Sequence, residues 1–206
     1  VTDRYPIPAA THRVEQTIRR SRFVATLGHA PDPAAAAAFV RGVGAEFPDA
    51  THNCWAFVAG APGSTAQAGM SDAGETHGTA GRPMLTALLH GGVGEVVAVV
   101  SRWYGGVKLG TGGLVRAYGG AVQQALATLP LIEKVRLTVL IVSLDWAGHA
   151  ALQSLLAASE AEVLSQSFDA GATVRIRLPV TREAGFRAAL LDATRGRARF
   201  SAADVE

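Results

Sequence analysis

Sixteen of the chain's 23 glycines fall between residues 60 and 120, where an even spread over 206 residues would put about seven. Glycine weakens the interior of a helix or strand by about 0.5–1 kcal/mol relative to alanine, so crowding on this scale marks tight turns or backbone that another group approaches closely. What has to be decided is whether that region serves the architecture or a site.

The surrounding composition is that of a folded protein: 49% of residues are apolar and 17% are charged, with both signs present. Such a balance excludes a disordered or low-complexity chain, and 206 residues suffice for one large domain or two small ones. The net charge of +2 is a small field for this size, so nucleic-acid binding does not follow from charge alone. The single cysteine, Cys54, excludes an internal disulfide framework and an all-cysteine zinc site. It fits a reducing cytoplasm, the expected location. No apolar run approaches the roughly 18 residues of a membrane span, and the N-terminus lacks the basic segment followed by an apolar block that marks a signal peptide.

Local patterns order the chain. Partial alternation predicts strands over 12–19 and 21–28. Asp32 and Pro33 open an alanine-rich helix to about Phe47, with Asp32 as its N-cap. A strand over 52–59 leads into a loop from Gly60 to Gly78, and a helix follows over about 82–90, with Thr79 as a candidate cap. The β-branched run Val96–Val100 is a buried strand. A second glycine loop, 105–113, enters a helix over about 114–129, whose Leu114, Ala117, Ala121, Ala125 and Leu129 recur at helical spacing. Pro130 marks a boundary. Beyond it the predicted order is strand (132–144), helix (147–159), strand (161–168), strand (172–180), helix (181–194) and strand (197–205), with Asp169-Ala170-Gly171 as a hairpin turn. That is the ferredoxin-like βαββαβ pattern. The expected fold class is α+β in two domains, 1–130 and 131–206.

Three segments carry chemistry. In His52-Asn53-Cys54-Trp55, strand alternation puts His52 and Cys54 on one face. A Cys/His pair on one face offers a nucleophile with its base, but Ala56 and Val58 continue that face, which favours Cys54 as a small buried hydrophobe. In Ser71–Pro83, Asp72, Glu75 and His77 are hard-ion ligand types, yet no metal spacing matches, and no metal or cofactor is expected. Arg82 at a helix start is disfavoured by the helix dipole unless it meets an anion or a carboxylate such as Asp72 or Glu75.

In the third segment, a buried strand ends in Arg102-Trp103-Tyr104 and passes Gly105-Gly106-Val107-Lys108-Leu109-Gly110. It then enters a helix through Thr111-Gly112-Gly113. Open N–H groups at a helix start, approached through glycine, form an anion site. Lys108 and Arg102 add charge, and Trp103 or Tyr104 offers a stacking surface for a base. Neither a Walker A loop nor a dinucleotide fingerprint fits: no Ser or Thr follows Lys108, and Val115 stands where a third glycine is required.

Asn53-Cys54-Trp55, Ser71-Asp72 with Gly74-Glu75, Gly78-Thr79-Ala80-Gly81 with Pro83, and the long run from Arg102 through Gly110 to Gly112–Tyr118 resemble the YigZ/IMPACT family. The resemblance implies an N-terminal IMPACT domain, an αβ sandwich of the type shared by a ribosomal small-subunit protein and small-molecule kinases. It also implies a ferredoxin-like C-terminal domain similar to those of elongation factor G, and a role in translation. The chain departs from the family pattern at Ala73, where a second acid is usual, and at Thr76 and His77, which weakens any metal or acid–base role of that loop.

The expected function is translation-associated regulation through binding of RNA, ribosome or a translation-factor protein, with no membrane partner. The expected nucleic-acid or anion-binding set is Arg82, Arg102, Tyr104, Gly105, Gly106, Lys108, Gly110, Thr111, Gly112, Gly113 and Arg116. The alternative is an enzyme acting on a phosphorylated small molecule or nucleotide at the same loop, with Asp72 and Glu75 as candidate acids. Both readings expect residues 71–82 and 102–116 to form one cleft.

Overall fold

A computed structural model describes residues 3–202. The chain divides into two compact units, Tyr5–Glu133 and a second made of Lys134–Glu206 together with Val1–Arg4.

The first unit is built on a five-stranded antiparallel sheet. β2 (His12–Ile18) and β3 (Ser21–His29) form a hairpin, β6 (Val96–Trp103) is central, β4 (His52–Val58) lies beyond it, and β5 (Ala68–Ser71) is the edge, giving the order β2-β3-β6-β4-β5. Three helices cover the sheet: α1 (Pro33–Glu46), α2 (Gly81–His90) and α3 (Thr111–Thr128). Asp32 caps α1 as expected, its side chain accepting from Ala35 N–H at 2.7 Å. Ala36, Phe39 and Val40 lay the apolar stripe of α1 on Val97 and Phe57.

The opposite sheet face carries the main core. Strand alternation points Val96, Ala98 and Val100 of β6, Ala25 and Leu27 of β3, and Cys54, Ala56 and Val58 of β4 into Met84 and Leu88 of α2 and Leu114, Tyr118 and Val122 of α3. The same alternation puts Arg102 on this helix-covered face, level with Phe23 on one neighbour and His52 on the other. A guanidinium in that position is 5% exposed and requires an anion beside it. Two strands were not anticipated: β1 (Arg4–Pro8), which pairs with β7 (Leu131–Val135), and β5, inside the expected 60–78 loop. α3 begins at Thr111, three residues earlier than expected, so Thr111, Gly112 and Gly113 are its first turn.

The second unit has the order β8 (Leu137–Leu144), α4 (Trp146–Leu156), β9 (Glu162–Phe168), β10 (Ala172–Pro179), a 3₁₀ turn (Val180–Arg182), α5 (Glu183–Ala193) and β11 (Arg199–Ala202). Its sheet order β11-β8-β10-β9 is antiparallel throughout, the ferredoxin-like arrangement. Leu140, Val142, Val174, Ile176, Leu152, Phe186 and Leu190 form its core. The expected strand over 132–144 is broken at Arg136, whose N–H goes to Asp3 O (2.6 Å) and whose carbonyl accepts from Val180 N–H (3.0 Å). Residues 203–205 of the expected last strand lie outside the described residues.

Candidate functional site

The segment after β5 is organised by Asp72. Its Oδ1 accepts from Ala80 N–H (3.0 Å) and Gly81 N–H (2.8 Å), and its Oδ2 accepts from Gly78 N–H (2.7 Å). The carboxylate therefore does the capping work at the start of α2, where no cap side chain is present at Ala80. Thr79, expected as the cap, instead donates its hydroxyl to Thr76 O at 2.6 Å. Burial pushes the Asp72 carboxyl up, but the three N–H groups and the nearby charge of His77 outweigh it and hold the carboxyl below its ordinary value. Asp72 is a supporting acid: its lone pairs are committed to backbone.

Glu75 has a different setting. Its side chain is 7% exposed, and Oε2 accepts from Arg102 Nη1 and, at 2.9 Å, from the Tyr118 hydroxyl. The buried guanidinium of β6 thus meets a carboxylate from the 71–81 loop and a phenol from α3. Arg102 also lies 5.5 Å from the Phe23 ring centroid and 5.6 Å from that of Tyr104. Burial raises the Glu75 carboxyl, yet the hydrogen bonds from Arg102 and Tyr118 and the charge of Arg102 outweigh it and hold the carboxyl below its ordinary value. His52 Nδ1–H donates to Ala73 O at 3.1 Å, and its Nε2 faces Glu75 Oε1 at 3.9 Å.

His52, Glu75 and Arg102 form one wall of a cleft of about 540 Å³. Tyr104 and Lys108 of the glycine loop and Gly110 and Thr111 at the start of α3 form the other. Gly110 takes φ +74° as N-cap and contributes no side-chain acceptor, and no acidic residue occupies the first turn of this 18-residue helix. The cleft therefore joins an uncapped helix N-terminus, an exposed lysine and a half-exposed tyrosine ring. Phosphate or a comparable anion is the group such a wall receives.

The expected set is divided. Arg102, Tyr104, Lys108, Gly110 and Thr111 share this cleft with Glu75. Arg82 and Arg116 line a separate groove of about 680 Å³ between α2 and α3, so the proposed partnership of Arg82 with Asp72 or Glu75 gives way to Arg102. Gly105 is architectural: a Cβ there would lie 2.0 Å from Arg20 O in the β2–β3 turn. Trp103 is engaged, its Nε1–H donating to Asp49 (2.9 Å) under the Arg22 guanidinium (4.4 Å to the ring). Cys54 is buried, donates to Asp72 O at 2.9 Å, and burial pushes its thiol up to about 12. Among the described residues no group of three His, Cys, Asp or Glu is placed to hold a metal ion.

Two participants lay outside the expected binding set: His52, weighed in the sequence only as a neighbour of Cys54, and Tyr118. The signal for Tyr118 was its place on the apolar face of the helix, where a buried hydroxyl has to find a partner.

The Impact N-terminal domain model matches residues 19–126, the segment that contains the whole cleft. The chain belongs to the IMPACT family. A second model, a domain of unknown function, DUF1949, matches residues 142–197. The chain is 46% identical over 190 residues to IMPACT family member YigZ of Escherichia coli, covering 92% of this chain and 93% of that protein. It is 41% identical over 193 residues to an IMPACT family member of Haemophilus influenzae, covering 94% of each. A crystal structure of a hypothetical protein superposes with TM-score 0.70 at 43% identity over the full length of both chains. The family is thus represented in bacteria along nearly all of this chain. No helix among the described residues is long and apolar enough to cross a membrane.

Proposed function

We propose that this IMPACT family protein acts in translation by binding single-stranded RNA through the cleft at the start of α3. The observation that carries the reading is the uncapped N-terminus of α3 opening beside exposed Lys108 and Tyr104. A backbone phosphate docks on the Thr111–Gly113 amides and Lys108, and a neighbouring base stacks on Tyr104. The context of translation rests on the family resemblance. With a net charge of only +2 the affinity is modest and falls with salt.

Glu75, Asp72 and Cys54 support binding over catalysis: the two carboxylates are held ionised by their partners, and the thiol is held protonated. The alternative, turnover of a phosphorylated small molecule, draws on the size of the cleft, which lies within the usual range of about 300–1,000 Å³ for small-ligand pockets. Fluorescence anisotropy with short single-stranded RNA over a salt series separates the two. Lys108→Ala weakens binding and reduces the salt slope by about one, and Tyr104→Ala weakens it further. An affinity indifferent to both substitutions overturns the reading, and nucleotide turnover by the wild-type chain replaces it with the enzyme.

A further inference from the structure

The His52–Glu75 side of the cleft supports an inference that rests on the RNA reading above. A carbonyl oxygen only accepts, so the contact between His52 Nδ1 and Ala73 O at 3.1 Å fixes the ring proton on Nδ1. In the neutral ring Nε2 is then a bare lone pair. It faces Glu75 Oε1 across 3.9 Å, beyond hydrogen-bond reach. Glu75 Oε2 is taken by Arg102 and Tyr118, whereas Oε1 receives a long contact from Thr76 N–H at 3.4 Å. Two acceptors thus confront each other on residues that both line the cleft. Arg102, 5% exposed, lines the same wall and has a buried Nε with no hydrogen-bond partner among the described residues. Glu75 and Arg102 thus satisfy one another only in part, and the Arg102 Nε–H remains a donor without a partner among the described residues.

A group that satisfies two facing acceptors must bring two hydrogens. A hydroxyl brings one and a carbonyl none. A planar amino group brings two, directed apart, and it leaves the rest of an aromatic ring free to meet Tyr104 while the phosphate sits at Lys108. We propose that the His52–Glu75 pair reads the exocyclic amino group of a nucleobase, so that the cleft prefers adenine or cytosine to uracil. Uracil presents a carbonyl oxygen where cytosine has its amino group, and that oxygen is repelled by the Glu75 carboxylate.

The test compares short oligo(A), oligo(C) and oligo(U) RNAs by fluorescence anisotropy at pH 8. Wild-type protein should bind oligo(A) and oligo(C) about three- to ten-fold more tightly than oligo(U), the scale of one or two net hydrogen bonds. His52→Ala should abolish the preference, and Lys108→Ala should weaken all three alike and preserve it. An oligomer of purine riboside, adenosine without the amino group, should bind like oligo(U); this arm leaves the protein unaltered, so misfolding cannot imitate the result. Equal wild-type affinity for all the oligomers, with Lys108→Ala still weakening each, overturns the amino-group reading and leaves the RNA reading standing. No binding of any oligomer overturns both.

Discussion

Glu75 and Arg102, 27 positions apart in the chain, form an ion pair in which both side chains are more than nine-tenths buried. Breaking one side of such a pair strands a charge in low dielectric and costs about 3–5 kcal/mol. Glu75→Gln and Arg102→Met are each expected to lose stability on that scale. The double substitution should cost clearly less than their sum. Urea unfolding of the four proteins checks this, and additive losses would show that the two side chains do not depend on each other.

The same carboxylates set an acid limit. Asp72 and Glu75 are both depressed in the folded protein from ordinary values of 3.8 and 4.5. A depressed carboxyl contributes its full stabilisation above its unfolded value and loses it as pH falls through the folded one. The urea midpoint should therefore decline below about pH 4.5. Asp72→Asn and Glu75→Gln, each less stable at neutral pH, should converge on the wild type in acid. A gap between wild type and variants that stays constant down to pH 3 would refute the assignment.

Two adjacent glycines should respond differently. Gly105→Ala drives a methyl to 2.0 Å from Arg20 O, a backbone atom that cannot move aside alone. Its expected cost lies at or above the upper end of about 1–3 kcal/mol for overpacking. Gly106 has φ +82° with open space around it, so Gly106→Ala bears only the left-handed backbone penalty of about 1–2 kcal/mol. Thermal melts of the two variants would expose any inversion of that order.

Cys54 should be silent. Its thiol is buried and pushed up to about 12, so reaction with a disulfide reagent at pH 8 should proceed only as fast as the protein opens. The labelling rate should jump on adding denaturant. Immediate stoichiometric labelling of the native protein would contradict the burial.

Most elements were legible because their residues announce local physics. The Val96–Val100 run could only be a covered strand, and Asp32-Pro33 could only open a helix. β1 escaped because Pro6 and Pro8 remove two ladder donors from a five-residue strand, and β5 because Ala68-Gly69-Met70-Ser71 has no alternation to read. The glycine loop pointed correctly to a strand-to-helix turn, but sequence proximity could not assign cations to walls. Arg82 and Arg102 both border glycine loops, yet one belongs to the α2–α3 groove and the other to the cleft. Only the fold shows that Glu75 belongs to Arg102 and that Asp72 is spent on amides.

The walls of the cleft come from β4, the 71–81 loop, β6 and α3. The most recognisable stretch of the sequence, Arg102 to Tyr118, is for that reason not a portable cassette. Transplanted into another scaffold or made as a peptide, it would bring the glycines, Lys108 and the helix start, but its arginine would arrive without the carboxylate that neutralises it. A minimal functional fragment has to begin no later than the β2–β3 hairpin, whose turn backbone Gly105 is shaped to touch, and has to run to the end of α3.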